Sequence, residues 1–107
     1  MATTFGQENP KLTQAIKRVA RDSLNVFFIP HAEDEMDNDG FDHDDVLTCL
    51  RRGTAYGPEQ QGNPPESRAN VVHRGLHIRV AVGGLDDCNG DWDQLSSFSV
   101  ITVMKVN

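Results

Sequence analysis

The stretch GFDHDDVLTCLRRG, residues 40–53, constrains this chain most, because the start, face and stop signals of one helix agree within it. Asp42 is a helix N-cap, and Asp45, three residues on, makes a capping-box arrangement. Phe41 before the cap and Val46 at the fourth helical position form a hydrophobic staple. Val46, Leu47 and Leu50 make an apolar stripe. Arg51 and Arg52 occupy the last turn, where cations suit the helix dipole, and Gly53 follows as a stop. Gly40 is placed to end a preceding helix. That helix is short, begins near His31 after Pro30, and turns Ala32 and Met36 inward.

The remaining elements follow from the same signals. Asn9 and Pro10 start a helix over residues 10–22, with Leu12, Ala15, Ile16 and Val19 on one face. Lys17, Arg18 and Arg21 take its other face and its C-terminal end. LNVFFI (24–29) reads as a strand that Pro30 stops, and GPEQQGNPPES (57–67) reads as a loop. Residues 69–73 and 76–82 read as a hairpin around Arg74–Gly75. Leu76, Ile78, Val80 and Val82 then face one way, and His77, Arg79 and Ala81 the other. Residues 83–93 form a polar turn, and residues 96–106 a last strand apolar enough on both faces to be central. With residues 1–8 read as a flexible tail, residues 9–107 make a single α+β domain. The expected architecture is two to three helices packed on one face of a three- to four-stranded antiparallel sheet.

Charge and composition narrow the function. The formal net charge is −6, and eight of the sixteen acids fall between Glu33 and Asp45. That is awkward for a general nucleic-acid binder, because phosphate contacts need Lys and Arg. Arg68, Arg74 and Arg79, with His73 and His77 among them, form a small basic stretch farther on. No apolar run approaches the roughly 20 residues that span a bilayer. The N-terminal residues do not read as a signal peptide, so a cytoplasmic protein with no membrane partner is expected. Cys49 and Cys88 lack metal-ligand spacing and read as reduced thiols.

The acidic run does not make a calcium loop. With Gly40 at loop position 6, Glu35, Asp37 and Asp39 fall at positions 1, 3 and 5, but position 12 is Val46, which supplies no oxygen. Carboxylates in the first turns of two helices account for more of these residues. His31 and Glu35 share a helix face at i, i+4, yet two ligands are not a metal site. No metal and no cofactor are expected.

The stretch FIPHAEDEMDNDGFDHDDVLTCLRRG (28–53), with LHIRVAVG (76–83) and SVITVMKV (99–106), resembles a small bacterial domain-of-unknown-function family. Its members carry a strand leading into His-Ala-x-x-Arg-Met-x-x-Arg-Gly-Ile and then a capped helix ending in Gly. His31, Ala32, Met36, Gly40, the apolar Phe41, Val46, Leu50 and Gly53 match in order and spacing, and the resemblance covers residues 25–107. The family is similar to RelE and BrnT type toxins, which are ribonucleases paired with an antitoxin. The resemblance therefore implies a RelE-like fold, RNA as substrate and an antitoxin protein as partner. The family's two arginines fall at Glu35 and Asp39 here, which reverses the charge at both positions.

RNA cleavage needs a base for the 2′-hydroxyl, an acid for the leaving oxygen and a cation for the phosphorane charge. His31, His77 and Arg79 are the expected catalytic residues, and His73, Arg74 and Lys105 the expected substrate-binding ones. His77 and Arg79, two apart on one strand face, would point at one phosphate. Plainer readings stand beside these. His-x-Arg also describes the wet side of a half-exposed sheet, and a helix-start histidine often bonds backbone. Trp92 and Phe98 would stack a base or fill the core. The expected function is a toxin-like, metal-independent endoribonuclease. The alternative is a non-catalytic module, a diverged toxin fold or a nucleic-acid mimic, whose acidic helices dock a basic partner.

Overall fold

Asn9 starts the first helix, α1 (Pro10–Val19), by accepting the Leu12 N–H with its side-chain oxygen at 3.0 Å. The computed structural model describes residues 6–106. The Asn9 amide donates to Gly57 O at 2.9 Å, and Thr13 Oγ1 accepts from Ala55 N at 2.8 Å, so the start of α1 is pinned to a distant strand. Of the stretch read as a tail, residues 1–5 lie outside the described residues. Gln7 and Glu8 are attached: Gly57 N donates to Gln7 O at 2.8 Å, and Glu8 bridges to Tyr56. Helix α1 ends at Val19, three residues before the expected end. Arg51 donates to Ala20 O at 2.7 Å and to Arg21 O at 3.4 Å, satisfying carbonyls left open past the helix end.

Strand β1 (Val26–Phe28) leads through Ile29 into α2 (Pro30–Asp39), which buries Ala32 and Met36 as expected. Gly40 ends α2 in the left-handed conformation, φ 74°. Helix α3 (His43–Arg52) has a complete capping box: Asp45 N donates to Asp42 at 2.8 Å, and Asp42 N donates to Asp45 at 3.1 Å. A Cβ at Gly53 would lie 2.6 Å from Cys49 O and 2.7 Å from Val72 O, so glycine lets the end of α3 press against the sheet.

Four strands follow: β2 (Thr54–Gln61), β3 (Glu66–His73), β4 (Ile78–Gly83) and β5 (Phe98–Lys105). The expected loop over 57–67 is corrected. It holds most of β2, the hairpin turn and the start of β3. Pro58 falls where the β2–β3 register skips between Tyr56 and Glu59, so its missing N–H breaks no regular ladder bond. The strand count and the sense of the sheet are corrected too. Five strands lie in the order β1-β5-β4-β3-β2, and β1 runs parallel to β5. The last strand is central, as expected. The domain is α+β, three helices with a mixed sheet.

The core lies between the sheet and helices α1 and α3. Leu12 and Ile16 of α1 and Val46 and Leu50 of α3 meet Val71, Ile78, Val80, Val82 and Val103. Phe98 is buried in that core. The opposite face of the sheet carries two rows set by the register: Thr54, Val72, Arg79 and Met104, then Tyr56, Asn70, Ala81 and Thr102. Val72 and Ala81 are buried yet stand outside the helix-side core. Helix α2 lies along β5 beyond the end of β1, where Glu35 Oε1 accepts the Val103 N–H at 3.2 Å. A helix side chain thus closes an edge that a longer β1 would have paired. Among the described residues no helix is long and apolar enough to cross a membrane.

Candidate functional site

Position on the fold separates the expected catalytic residues. His31 stands in the first turn of α2 with its side chain 67% exposed. Its Nε2 lies 3.4 Å from Glu35 Oε1, the oxygen that also accepts from Val103. The i, i+4 spacing does bring this pair together. Glu35, at one of the two family arginine positions, is therefore held at the edge of the sheet.

His77 is corrected most. It is not on a strand face with Arg79. A 3₁₀ turn over Arg74–Leu76 precedes it, and His77 caps that turn in the left-handed conformation, φ 53°. Its N–H donates to Arg74 O at 3.1 Å, and its carbonyl accepts from Val106 N at 2.8 Å. Strand β4 starts only at Ile78. His77 and Lys105 instead line a cleft of about 420 Å³ with Phe41, Leu76 and Val106. Phe41 follows the C-terminal end of α2, whereas His31 stands in the first turn of that helix and does not line this cleft.

Arg79 belongs to the sheet face opposite α1 and α3, between Val72 and Met104 in the register, and its Nη2 lies 2.6 Å from Met104 Sδ. His73 is occupied by structure. Its Nδ1 accepts the Leu76 N–H at 3.1 Å, and its ring packs where a Gly75 Cβ would fall. The bond to Leu76 leaves only Nε2 to carry the proton of the neutral ring. Arg74 is exposed in the turn. The six expected residues thus fall in three places: the start of α2, the cleft and turn around His77, and the sheet face opposite α1 and α3.

Two features escaped the sequence reading. The His43 ring stacks on Phe28, centroids 4.2 Å apart and planes at 25°, and its Nε2 is 3.7 Å from Glu33 Oε1. This ties α2, α3 and β1 together at their acidic end. Tyr56 and the buried Asn70 stand in the row next to Arg79 on the same sheet face. Tyr56 falls at the last regular pairing before the β2 irregularity, and nothing local in the sequence marks it.

The acids of residues 33–45 divide by what they do. Asp42 and Asp45 form the capping box, Glu35 holds β5, and Glu33 meets His43. Asp34, Asp37 and Asp44 are exposed, and Asp39 is half-buried. Among the described residues, no Lys or Arg side chain forms an ion pair with any of the eight. Nor do three His, Cys, Asp or Glu side chains gather there as a metal-holding group. Val46, at the twelfth position of the calcium pattern, is fully buried in the core. Both cysteines are free; burial pushes the Cys49 thiol up to about 12 and raises that of Cys88.

Comparison with known protein families, curated proteins and solved structures finds no match for this chain.

Proposed function

We propose that this protein is an interaction module whose acidic ridge, formed by α2 and the first turn of α3, docks a basic surface of a partner protein. One observation carries the reading: eight carboxylates sit on two adjoining helices and the cap between them, and no Lys or Arg among the described residues forms an ion pair with any of them. A cationic partner surface gains by meeting them, most of all in association rate and in discrimination. The ridge is also held in place, by the capping box, by Glu35 on β5 and by the His43–Phe28 stack. A basic partner fits a nucleic-acid mimic, since the carboxylates present the charge sign of phosphates. The test is affinity capture from the source cells with wild type and an Asp34→Asn, Asp37→Asn, Asp44→Asn triple variant. A basic protein that is retained by wild type, released by salt and lost by the variant is expected. Equal retention by both proteins would remove the ridge from the interaction.

The second reading is a toxin-like endoribonuclease on a RelE-like fold, with an antitoxin as partner. It is favoured by the sheet face opposite α1 and α3, where Arg79 and Tyr56 occupy neighbouring rows beside the buried Asn70. A guanidinium, a phenol and an amide can hold a phosphate and move one proton. Cutting of a mixed RNA pool, abolished by Arg79→Ala and unaffected by His31→Ala, is its expected signature. No cutting by a folded protein at any concentration would dismiss it.

A further inference from the structure

Away from both the acidic ridge and the Arg79 face of the sheet, α1 and the segment Gly90–Asp93 enclose a cleft of about 630 Å³. Lys11, Lys17, Arg18 and Arg21 line it, which is four of the ten Lys and Arg residues of a chain whose net charge is −6. Lys11, Gln14 and Arg18 follow i, i+3 and i+7 on α1, a stripe about 10 Å long at 1.5 Å per residue, and Arg21 lines the cleft from just past the helix end. All four cations are exposed, and none forms an ion pair among the described residues. Arg18 Nη2 donates to Trp92 O at 3.1 Å, which ties the far wall of the cleft to the helix. Trp92 is half-buried on that wall. Asp91 and Asp93 flank it, and Asp91 accepts the Asp93 N–H at 3.3 Å.

The two walls therefore differ in chemistry. One carries cations, which suit a phosphate. The other carries Trp92, packed in part against the core and lining the cleft between two carboxylates, which suits a planar ring and the hydroxyl or amino donors attached to it. The volume falls within the range of small-molecule sites, about 300–1,000 Å³. We propose that this cleft binds a nucleoside phosphate, its phosphates on Lys11, Arg18 and Arg21, its base against Trp92 and its ribose hydroxyls donating to Asp91 or Asp93. The carboxylates act as a selector: they repel a bare polyanion that would run along both walls and accept the donors of a sugar. This site stands apart from the acidic ridge and does not depend on it.

Trp92 is the only tryptophan of the chain, so its fluorescence reports this cleft directly. The experiment titrates ADP into the full chain, with adenosine and inorganic phosphate as separate probes. A saturable change with ADP, at least about tenfold tighter than with either fragment, is expected from the sum of ring and phosphate contacts. The Lys11→Gln, Arg21→Gln double variant changes only exposed side chains and should weaken ADP by at least about tenfold with an unchanged far-ultraviolet spectrum. Trp92→Ala, read by calorimetry, should weaken ADP and leave inorganic phosphate unaffected. Four results would overturn the proposal: no saturable response to ADP, equal binding of adenosine and ADP, equal binding of phosphate and ADP, or wild-type affinity in the double variant. Binding of oligoadenylate that tightens with chain length would replace the mononucleotide site by a single-strand track, and so would also overturn it.

Discussion

Helices α2 and α3 are the same length, ten residues, and both carry acids in their first turns, yet they are held by different means. Helix α3 buries Val46, Leu47, Cys49 and Leu50 and is closed at its start by a capping box. Helix α2 buries only Ala32 and Met36, and no side chain caps its start. It is fastened by one carboxylate on a strand edge, by the Glu33–His43 contact and by the Gly40 joint. The difference teaches what each helix is for. Helix α3 is a wall of the core and carries little freedom. Helix α2 lies along the edge of the sheet, with most of its surface turned outward and charged.

The largest effect that separates them is core truncation. Leu50→Ala removes a side chain that is 1% exposed between α3 and the sheet, and should destabilise by about 3–5 kcal/mol. Met36→Ala on α2 should cost about 2–3 kcal/mol, the lower part of the range, because this helix lies at the sheet margin, where neighbours can close over the space. Urea unfolding of both variants gives the comparison. Equal losses would mean that α2 is as much a part of the core as α3, and the contrast would fail.

The next effect concerns the fastenings. Glu35→Ala leaves the Val103 N–H without its acceptor and frees His31 from its neighbour, a loss of about 1–2 kcal/mol. Asp42→Ala removes the α3 cap and should cost about 1 kcal/mol. The two changes should differ in kind as well as in size. Hydrogen exchange in Glu35→Ala should quicken in α2 and at Val103 alone, whereas Asp42→Ala should lower protection across the domain by the same modest factor. Fast exchange confined to α3 in Asp42→Ala would reverse the assignment of which helix opens locally.

This asymmetry also explains what the sequence disclosed. Helix α3 was legible because its cap, staple, stripe and stop are local, all within residues 40–53. The central place of β5 was legible from an apolar run on both faces. Strand β2 was not, because Gly57 and Pro58 read as loop while the partners that make it a strand lie in β3 and at Gln7–Asn9. The parallel sense of β1 was not legible, since three residues carry no sign of direction. The site suffered for one residue. Alternation was counted from Leu76, but the chain turns left-handed at His77, so equal spacing did not give a shared face with Arg79. The α1 cleft needed the fold itself, because Arg18 and Trp92 meet across 74 residues of sequence.

The smallest effect is the most selective probe of the two helices, because a thiol on each reads its local opening directly. Cys49 of α3 is fully buried, and desolvation pushes its thiol from 9.0 up to about 12. The raised value means that the fold favours the protonated thiol. This contribution is fully present below pH 9 and is lost as pH rises toward about 12, because the unfolded chain gives up its proton first. Near pH 8, then, native Cys49 should resist alkylation and react only when α3 opens. Ala32 is its counterpart on α2, fully buried at the first turn. In an Ala32→Cys variant with Cys49 and Cys88 replaced by Ala, the α2 thiol should be alkylated at least about tenfold faster than Cys49 in the wild type. That ratio corresponds to about 1.4 kcal/mol less resistance to local opening. Equal rates would show the two helices opening as one unit, and the ridge would then be as rigid as the core behind it.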